Sequence, residues 1–421
     1  FSKTHNRLGQ HDGGVKYYWR LLVLVEILSI LVVIVGLIQS PKTELVSHSR
    51  LHAAVHSQAE TYGGDPTIKH AHKGVEKLLK ALNFSIDPRL EATAQAVLKH
   101  IPNAESMLPL ESLNYYLNAS GAVYWDTEQI FLETEETDDL KVYEKLLTTQ
   151  EKNQNKFGAR IGFAEQWSVF PTLKRKIIAL VAHPRFILNP LARHVSPGTP
   201  FQVTGRVSAH IRDVSVMMLN EQGHLSTVAA QIKNGELSAP IKLTPGRWTI
   251  EVVGETPFGP LPLAQMKLCA GCLSSGVFRE PNPQKDQTSQ SPVVQLLNLI
   301  NGSRAGLGLA PIVNNPALNA VASAHSNDML MHKFVGHRSP TTGDVEQRLK
   351  RANLFPVIFG ENIARNTSIA DVHRSLMHSV SHRINILEPE FTDIGLGIER
   401  ADGHWIVTEV FARLEQRVSQ L

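Results

Sequence analysis

Cysteine is scarce in this sequence: the only two among 421 residues are Cys269 and Cys272, in the motif CAGC. Two thiols cannot complete a four-ligand structural zinc site. A redox-active CxxC motif would open a helix after a strand, whereas this pair precedes a stretch rich in Ser, Pro and Gln. The pair therefore indicates a local disulfide, which would stabilise the fold little because its loop is short, or two free thiols.

Clustered positive charge is also missing. The formal net charge is +3, and no long run of Lys and Arg with interleaved aromatic residues occurs. Such runs are the electrostatic footprint of nucleic-acid binding, so no nucleic-acid partner is expected. Two signatures of hydrolases are missing as well, the HExxH helix of zinc proteases and the Gly-x-Ser-x-Gly nucleophile elbow.

One long apolar run is present, LLVLVEILSILVVIVGLI at residues 21–38. Eighteen helical residues span roughly 27 Å, just enough for the core of a bilayer. Residues 1–20 carry four basic side chains against one acidic side chain, which places them in the cytoplasm by the positive-inside rule. A cleaved signal peptide is the alternative, but the run is long for one and no clean small-x-small cleavage site follows. We therefore predict a single-pass protein of the cytoplasmic membrane, with the bulk of the chain in the periplasm or outside.

Glu26 lies inside this apolar run. Its carboxyl could reach the membrane surface or be protonated. Alternatively, an ionisable group in a membrane helix faces another protein and marks a partner. Both readings stay open, and the second predicts further membrane-protein subunits as partners.

Beyond the membrane span the chain divides by composition into several parts, so a multidomain fold is expected. Residues 41–195 mix helical periodicity with a few strands and predict an α/β domain. Residues 196–273 contain short alternating strands separated by turns, typical of a small antiparallel β-sandwich. Residues 274–291 are a linker, rich in Ser, Pro and Gln, and residues 292–421 form a last independent block.

Polar residues cluster within this last block. His337 stands in FVGHRSP, Glu361 among apolar neighbours in FGENIA, and Ser379 and His382 in MHSVSHRINILEPEF. Two histidines and a glutamate could bind a divalent metal, act as a general acid–base pair, or form a buried ion-pair network. Their spacing leaves these alternatives open. His325, in the helix-forming stretch ALNAVASAHSNDMLMHK, is expected to have a structural role.

Six stretches of this block, in order, resemble the bacterial branch of the CAP (SCP-like) superfamily, named for cysteine-rich secretory and pathogenesis-related proteins. They are LLNLINGSRAGLGLAPIVNNPAL, HSNDM, FVGHRSP, GENIA, SVSHRINILEPEFTDIGLGI and HWIVTEVFA, within residues 293–414. The resemblance implies an α-β-α sandwich with a cleft lined by two histidines and two glutamates, which in some members hold a divalent ion.

By position, the resemblance assigns His337, Glu361 and His382 to this cleft. Ser379 stands where the second glutamate would fall, so the set of four is incomplete. A divalent metal (zinc, or magnesium or calcium) held by His337, Glu361 and His382 is therefore the only cofactor that the resemblance suggests, and strong binding is not expected.

A fainter internal similarity links residues 84–190 to the last block. NFSIDPRLEATAQAVLKHI is similar to LAPIVNNPALNAVASAHSN, but the first copy lacks the histidine and glutamate motifs. We hypothesise a degenerate CAP-like domain that kept the fold and lost the site. The alternative is a chance similarity of helix and strand patterns, and a different strand order would exclude the hypothesis.

The function that these observations favour is that of a membrane-anchored, extracytoplasmic CAP-domain protein with a binding or structural role, an accessory subunit of a larger membrane complex. Its ligand would be a lipid or cell-wall material. The alternative is a cell-wall or peptide hydrolase, metal-assisted or of the Ser/His type, that uses Ser379 or Ser339. An enzymatic role is the less favoured of the two, because no nucleophile motif supports it.

Overall fold

The computed structural model describes residues 61–63, 75–99, 108, 110–147, 158–168, 174–272, 290–401 and 403–414. The predicted membrane span at 21–38, with Glu26, and nearly all of the predicted linker lie outside these residues. Among the residues described, no helix combines the length and the apolar character needed to cross a membrane.

Helices and strands alternate at both ends of the described chain, and strands alone fill its middle. The helices are α1 (Glu76–Ala81), α2 (Pro88–Leu98), α3 (Leu110–Ser120), α4 (Asp139–Leu147), α5 (Pro292–Ala305), α6 (Pro316–His332), α7 (Val345–Arg351), α8 (Ile369–His378) and α9 (Val380–Leu387). The strands are β1 (Thr61–Tyr62), β2 (Phe84–Ile86), β3 (Thr127–Thr134), β4 (Ala159–Ser168), β5 (Lys174–Ala182), β6 (Phe186–Leu188), β7 (Leu191–Ala192), β8 (His194–Val195), β9 (Phe201–Val207), β10 (Arg212–Asn220), β11 (Leu225–Ala229), β12 (Gln231–Lys233), β13 (Glu236–Ile241), β14 (Gly246–Thr256), β15 (Gly259–Ala270), β16 (Val313–Asn314), β17 (Pro356–Asn366), β18 (Asp393–Ala401) and β19 (His404–Leu414).

The first domain, from α1 to β5, is built on a four-stranded sheet with the order β2-β4-β5-β3. β2 runs parallel to β4, and the other neighbouring strands are antiparallel. The side chain of Asp87 caps α2 and Pro88 begins it, both of which suit a helix start. α2 packs directly on β4, because Gly162 has no side chain to hold it away from Leu90.

The C-terminal domain, from α5 to β19, has a four-stranded sheet with the order β16-β18-β19-β17. Here too the short strand runs parallel to its neighbour and the others are antiparallel. Asn315 caps α6 and Pro316 begins it, and Gly395 on β18 lets Leu318 approach the sheet. One face of the sheet packs against α5 and α8, and the other against α6 and α7.

The two sheets thus have the same strand order and the same strand directions. In both domains the capped helix follows the short parallel strand, and its third residue, Leu90 or Leu318, lies against a glycine of the neighbouring strand. The same strand order is what a degenerate copy would require. The common origin of residues 84–190 and the last block stays a prediction.

Between them lies the sandwich domain, from β6 to β15. A five-stranded sheet, β11-β10-β14-β15-β8, and a four-stranded sheet, β12-β13-β9-β6, enclose one apolar core. The domain begins before residue 196, the boundary expected from sequence, because β6 and β8 pair with sandwich strands. Cys269 and Cys272, at the end of β15, are joined by a disulfide.

Among the described residues, the sandwich domain contacts the C-terminal domain at the start of α9 and at the loop of His337. Met217 and Val253, on the outer face of its five-stranded sheet, contact Val380 at the start of α9 in a small apolar cluster. In addition, the turn between β14 and β15 contacts the loop that carries His337, where Arg338 N donates a hydrogen bond of 2.8 Å to Phe258 O. The candidate site therefore lies at a boundary between domains.

Candidate functional site

Glu361 lies on β17, which forms one edge of the C-terminal sheet. Its register partner is Val410, so its side chain points to the face covered by α6 and α7. The side chain is 2% exposed and accepts two charge-assisted bonds, from His337 Nδ1 at 2.9 Å and from Arg348 Nη2. Burial alone would raise the pKa of Glu361, but the bond from His337 and the charge of Arg348 outweigh it and lower that pKa.

Arg348, on α7, is a member of this site that the sequence did not indicate. Its side chain is 5% exposed, and its guanidinium also donates to the carbonyl oxygens of His337 at 3.1 Å and Gly343 at 2.6 Å. Arg348 therefore holds the loop of His337 and supplies the positive charge that Glu361 requires. The charge of Glu361 is therefore shared with His337 and Arg348, rather than with His337 and His382.

His382 approaches the site from α9. Its ring centroid lies 6.4 Å from that of His337, with 27° between the two ring planes. Its Nδ1 is 2.8 Å from Ser379 Oγ. Burial, with a smaller contribution from His337, lowers the pKa of His382 to about 3, so this ring is neutral at ordinary pH.

The structure thus brings the sequence-predicted residues His337, Glu361, His382 and Ser379 into one region of the C-terminal domain. They line or adjoin a cavity of about 290 Å³. Four residues of the sandwich domain complete the lining: Val253, Gly259, Pro260 and Pro262. His337 and His382 also line a cavity of about 500 Å³ that Trp125 and Arg185 border on the side of the first domain. No cluster of titratable residues in the sequence of the sandwich domain indicated this contribution.

These residues do not fit a divalent metal as they are arranged. Glu361 already neutralises Arg348, and its other oxygen binds His337. His382 can offer only its Nε2, since its Nδ1 lies against Ser379 Oγ. In the part of the chain that the structure describes, no group of three or more His, Cys, Asp or Glu side chains is placed to hold a metal ion.

A second buried acid lies behind the cleft. Glu409 pairs in register with Asn362, and its Oε2 accepts a bond of 3.0 Å from Asn362 Nδ2. Asn362 Oδ1 accepts in turn from Asn385, which lines the cavity. Burial raises the pKa of Glu409 to about 8, although the Asn362 bond opposes this. Glu409 is therefore mostly protonated at neutral pH. Because its pKa is raised from 4.5, its contribution to stability is complete below about pH 4.5 and is lost as the pH rises to about 8.

His325, for which the sequence predicted a structural role, and Asp328 both lie on α6. His325 is fully buried, and its Nε2 is 3.0 Å from Gly336 O. Asp328 accepts hydrogen bonds from the hydroxyls of Thr341 and Thr342 at 2.9 and 3.2 Å. Both side chains fix the loop that carries His337.

The family model of CAP, the cysteine-rich secretory protein family, matches residues 297–411. Over 112 residues the chain is 34% identical to the uncharacterized protein YkwD of Bacillus subtilis, an alignment that covers 26% of this chain and 44% of YkwD. Over 107 residues it is 31% identical to the uncharacterized membrane protein YlbC of the same organism, covering 25% of this chain and 31% of YlbC. The chain thus spans less than half the length of these relatives.

The similarity of this chain to solved structures is lower in sequence identity than its similarity to these two relatives. An outer surface protein from Borrelia burgdorferi aligns with 18% identity and a TM-score of 0.29, over 31% of this chain and 98% of that protein. An extracellular protein containing an SCP domain from Bacillus anthracis aligns with 17% identity and a TM-score of 0.27, over 66% of this chain and 97% of that protein.

Proposed function

Residues 297–411 are a CAP domain of the cysteine-rich secretory protein family, and from this premise we propose that the chain is a membrane-anchored, extracytoplasmic binding protein. Its ligand, a lipid or a cell-wall fragment, enters the cavity at His337 and His382. The observation that carries the proposal is the composite lining of this cavity, polar on the CAP side and apolar on the sandwich side. A mixed lining with a few convergent polar groups is typical of ligand sites.

The arrangement of the serines favours binding over hydrolysis. Ser379 is fully buried, and its hydroxyl donates to Glu251 of the sandwich domain rather than facing the cavity. Ser339 Oγ accepts bonds of 2.9 Å from the backbone N–H groups of Thr341 and Thr342, which closes a turn. The nucleophile of a Ser/His hydrolase would face its substrate and have a general base beside it, and neither hydroxyl is placed in this way.

Filling the cavity tests the binding proposal. Ser381 lines the cavity, and Ser381→Trp is expected to occlude it, so that the full-length variant loses at least tenfold in affinity for the ligand that the wild type binds. Native mass spectrometry of the purified chain, incubated with a bacterial lipid extract and with solubilised cell-wall fragments, would identify that ligand. Ala324→Trp, on the exposed side of α6, is the matched control and should bind normally. Equal binding by Ser381→Trp and wild type would contradict the proposal.

Anchoring rests on the apolar run at residues 21–38. The full-length chain is expected to stay in the membrane pellet after alkaline carbonate extraction. Leu31→Lys with Val32→Lys should release it, because each lysine at the centre of a span costs about 2.5–3.5 kcal/mol. Leu45→Lys with Val46→Lys, outside the run, should not. A wild-type chain recovered in the soluble fraction would exclude the anchor.

The proposed role as a subunit of a larger membrane complex is tested separately, with membranes from the same cells. After mild detergent extraction, the protein should migrate in a complex larger than its own 46.6 kDa. Glu26 supports this proposal, since a single membrane helix offers its carboxyl no partner and a second membrane protein can supply one. Migration as a lone monomer would contradict the subunit role and leave the binding role intact.

A further inference from the structure

A carboxylate from the sandwich domain reaches the start of α9, the helix that carries His382. Glu251 on β14 is fully buried and accepts hydrogen bonds from Ser379 Oγ, Val380 N and Ser381 N, each at 3.0 Å. Gln265 Nε2, which also donates to His378 O at 2.9 Å, is a fourth donor at 3.0 Å. Every one of these neighbours donates, so Glu251 acts only as an acceptor.

This environment fixes the direction of the next hydrogen bond. The Ser379 hydroxyl has one proton, and that proton is directed to Glu251. Ser379 Oγ must therefore accept at its other contacts, from Ser381 Oγ at 3.1 Å and from His382 Nδ1 at 2.8 Å. Because His382 is neutral and carries its single proton on Nδ1, its Nε2 keeps a free lone pair.

The position of this carboxylate is informative. Ser379 stands where the family resemblance places a second glutamate. Glu251 lies 128 residues earlier in the chain, in another domain, and puts an acid beside that same position. The apolar contact of Met217 and Val253 with Val380 fixes the strand that carries it.

We propose that Glu251 is a positioning residue for the CAP cleft: through Ser379 it holds His382 in the Nδ1–H tautomer, so that Nε2 accepts a hydrogen bond from a ligand hydroxyl or amide N–H. The inference rests on the proposed function for its ligand, but the tautomer does not. The ligand class is a neutral donor, such as a saccharide hydroxyl or an acetamido group. A ligand that offers only acceptors would meet an unprotonated nitrogen.

The tautomer can be read without any ligand. In the full-length chain labelled with 15N-histidine and solubilised in detergent, long-range proton–nitrogen spectra distinguish Nδ1–H from Nε2–H, and His382→Asn identifies the signal. The wild type should show His382 as Nδ1–H. A wild-type His382 with the proton on Nε2 would overturn the proposal outright.

Two variants test the relay, that is, the chain of hydrogen bonds from Glu251 through Ser379 to His382. Ser379→Ala keeps Glu251 on the backbone N–H groups of α9 and removes only the link, and Glu251→Gln replaces one acceptor oxygen by a donor. In each, the ratio of Nδ1–H to Nε2–H should fall about fivefold to tenfold, the loss of one net hydrogen bond. Glu221→Gln, an exposed sandwich residue, is the control and should leave the ratio unchanged. A purely structural role of Glu251 would change the melting temperature and leave the ratio as in the wild type.

The ligand class has a separate test with two small probes. N-acetylglucosamine, which carries hydroxyl and amide donors, should shift the His382 Nε2 resonance at millimolar concentration, and acetate, which carries none, should not. A shift with acetate alone, or none with either probe, would overturn the assigned class. If the tautomer is as expected but the Ser381→Trp experiment fails, the proposed function fails and the relay stands.

Discussion

Replacing Arg348 with Met is expected to lower the free energy of unfolding of the CAP domain by about 3–5 kcal/mol, because it leaves the carboxylate of Glu361 buried without its counter-ion. The two side chains are 5% and 2% exposed, so water cannot take the place of the guanidinium. Native-state hydrogen exchange of β17 and β19 amides measures this loss within the domain, which a global unfolding curve of a multidomain chain would not.

A matched control lies two residues further along α7. Lys350 and Glu346 form an ion pair at 2.7 Å, but their side chains are 59% and 53% exposed. Lys350→Met should therefore change stability by no more than about 1 kcal/mol. Adding Glu361→Gln to Arg348→Met removes the uncompensated charge and should recover part of the loss. Equal effects of Arg348→Met and Lys350→Met would show that the buried pair contributes little.

Arg348 also marks a limit of what the sequence could predict. It stands in VEQRLKR, a short amphipathic stretch with three basic residues that resembles any solvated helix surface. Nothing local distinguishes it from Lys350. Only the packing of Leu349 on the sheet turns Arg348 inward toward Glu361 and leaves Lys350 outside. Glu361 was recognisable because a carboxylate among apolar neighbours needs a partner, but the identity of that partner depended on tertiary structure.

Glu251 was missed for a different reason. In RWTIEVVGE it alternates with Ile250 and Val252, the pattern of a strand with one apolar and one polar face. The alternation correctly gives Ile250 and Val252 to the sandwich core and turns Glu251 outward. That outward face is covered by α9, and a pattern within one domain carries no information about its contact with another. The convergence of His337, Glu361 and His382 was predicted from the family resemblance, because their spacing in the sequence left their relative positions open.

Local chemistry, in contrast, predicted much of the fold. DIGLGIER and HWIVTEVFAR have the composition of two strands, and the turn ADG between them indicates that they are adjacent; they form the antiparallel pair β18 and β19. The acidic stretch around residue 140 shows the reverse case. Its composition is typical of a solvated helix or loop, but α4 buries Val142, Tyr143 and Leu146 against the first sheet, because its apolar residues recur at helical spacing.

The second large loss of stability is expected from the addition of a single methyl group. Gly395→Ala places a Cβ onto the Leu318 carbonyl group of α6. Because the obstacle is backbone, no side-chain rotation can relieve it, and α6 would have to move away from the sheet. Overpacking costs about 1–3 kcal/mol where side chains can adjust, so the loss here should exceed about 3 kcal/mol. The readout is loss of hydrogen-exchange protection in β18 and α6, together with a lower melting temperature.

Gly302→Ala is the control, since Gly302 lies in α5 and, among the residues that the structure describes, no heavy atom lies within 4 Å of the added Cβ. It should stabilise the helix by about 0.5–1 kcal/mol. If Gly395→Ala were as harmless as Gly302→Ala, direct packing of α6 on β18 would be excluded.

The same substitution can be made in the first domain. Gly162→Ala sets a Cβ onto the backbone of α2 at Leu90, the position that corresponds to Leu318 counted from the helix-starting proline. We expect a loss as large as that from Gly395→Ala, with lost protection confined to β4 and α2. Similar losses of stability in the two domains would mean that both depend on the same feature, a glycine in the sheet that lets a capped helix pack closely on it. A far smaller loss from Gly162→Ala would mean that the first domain tolerates what the CAP domain does not, and that the shared strand order does not extend to shared packing.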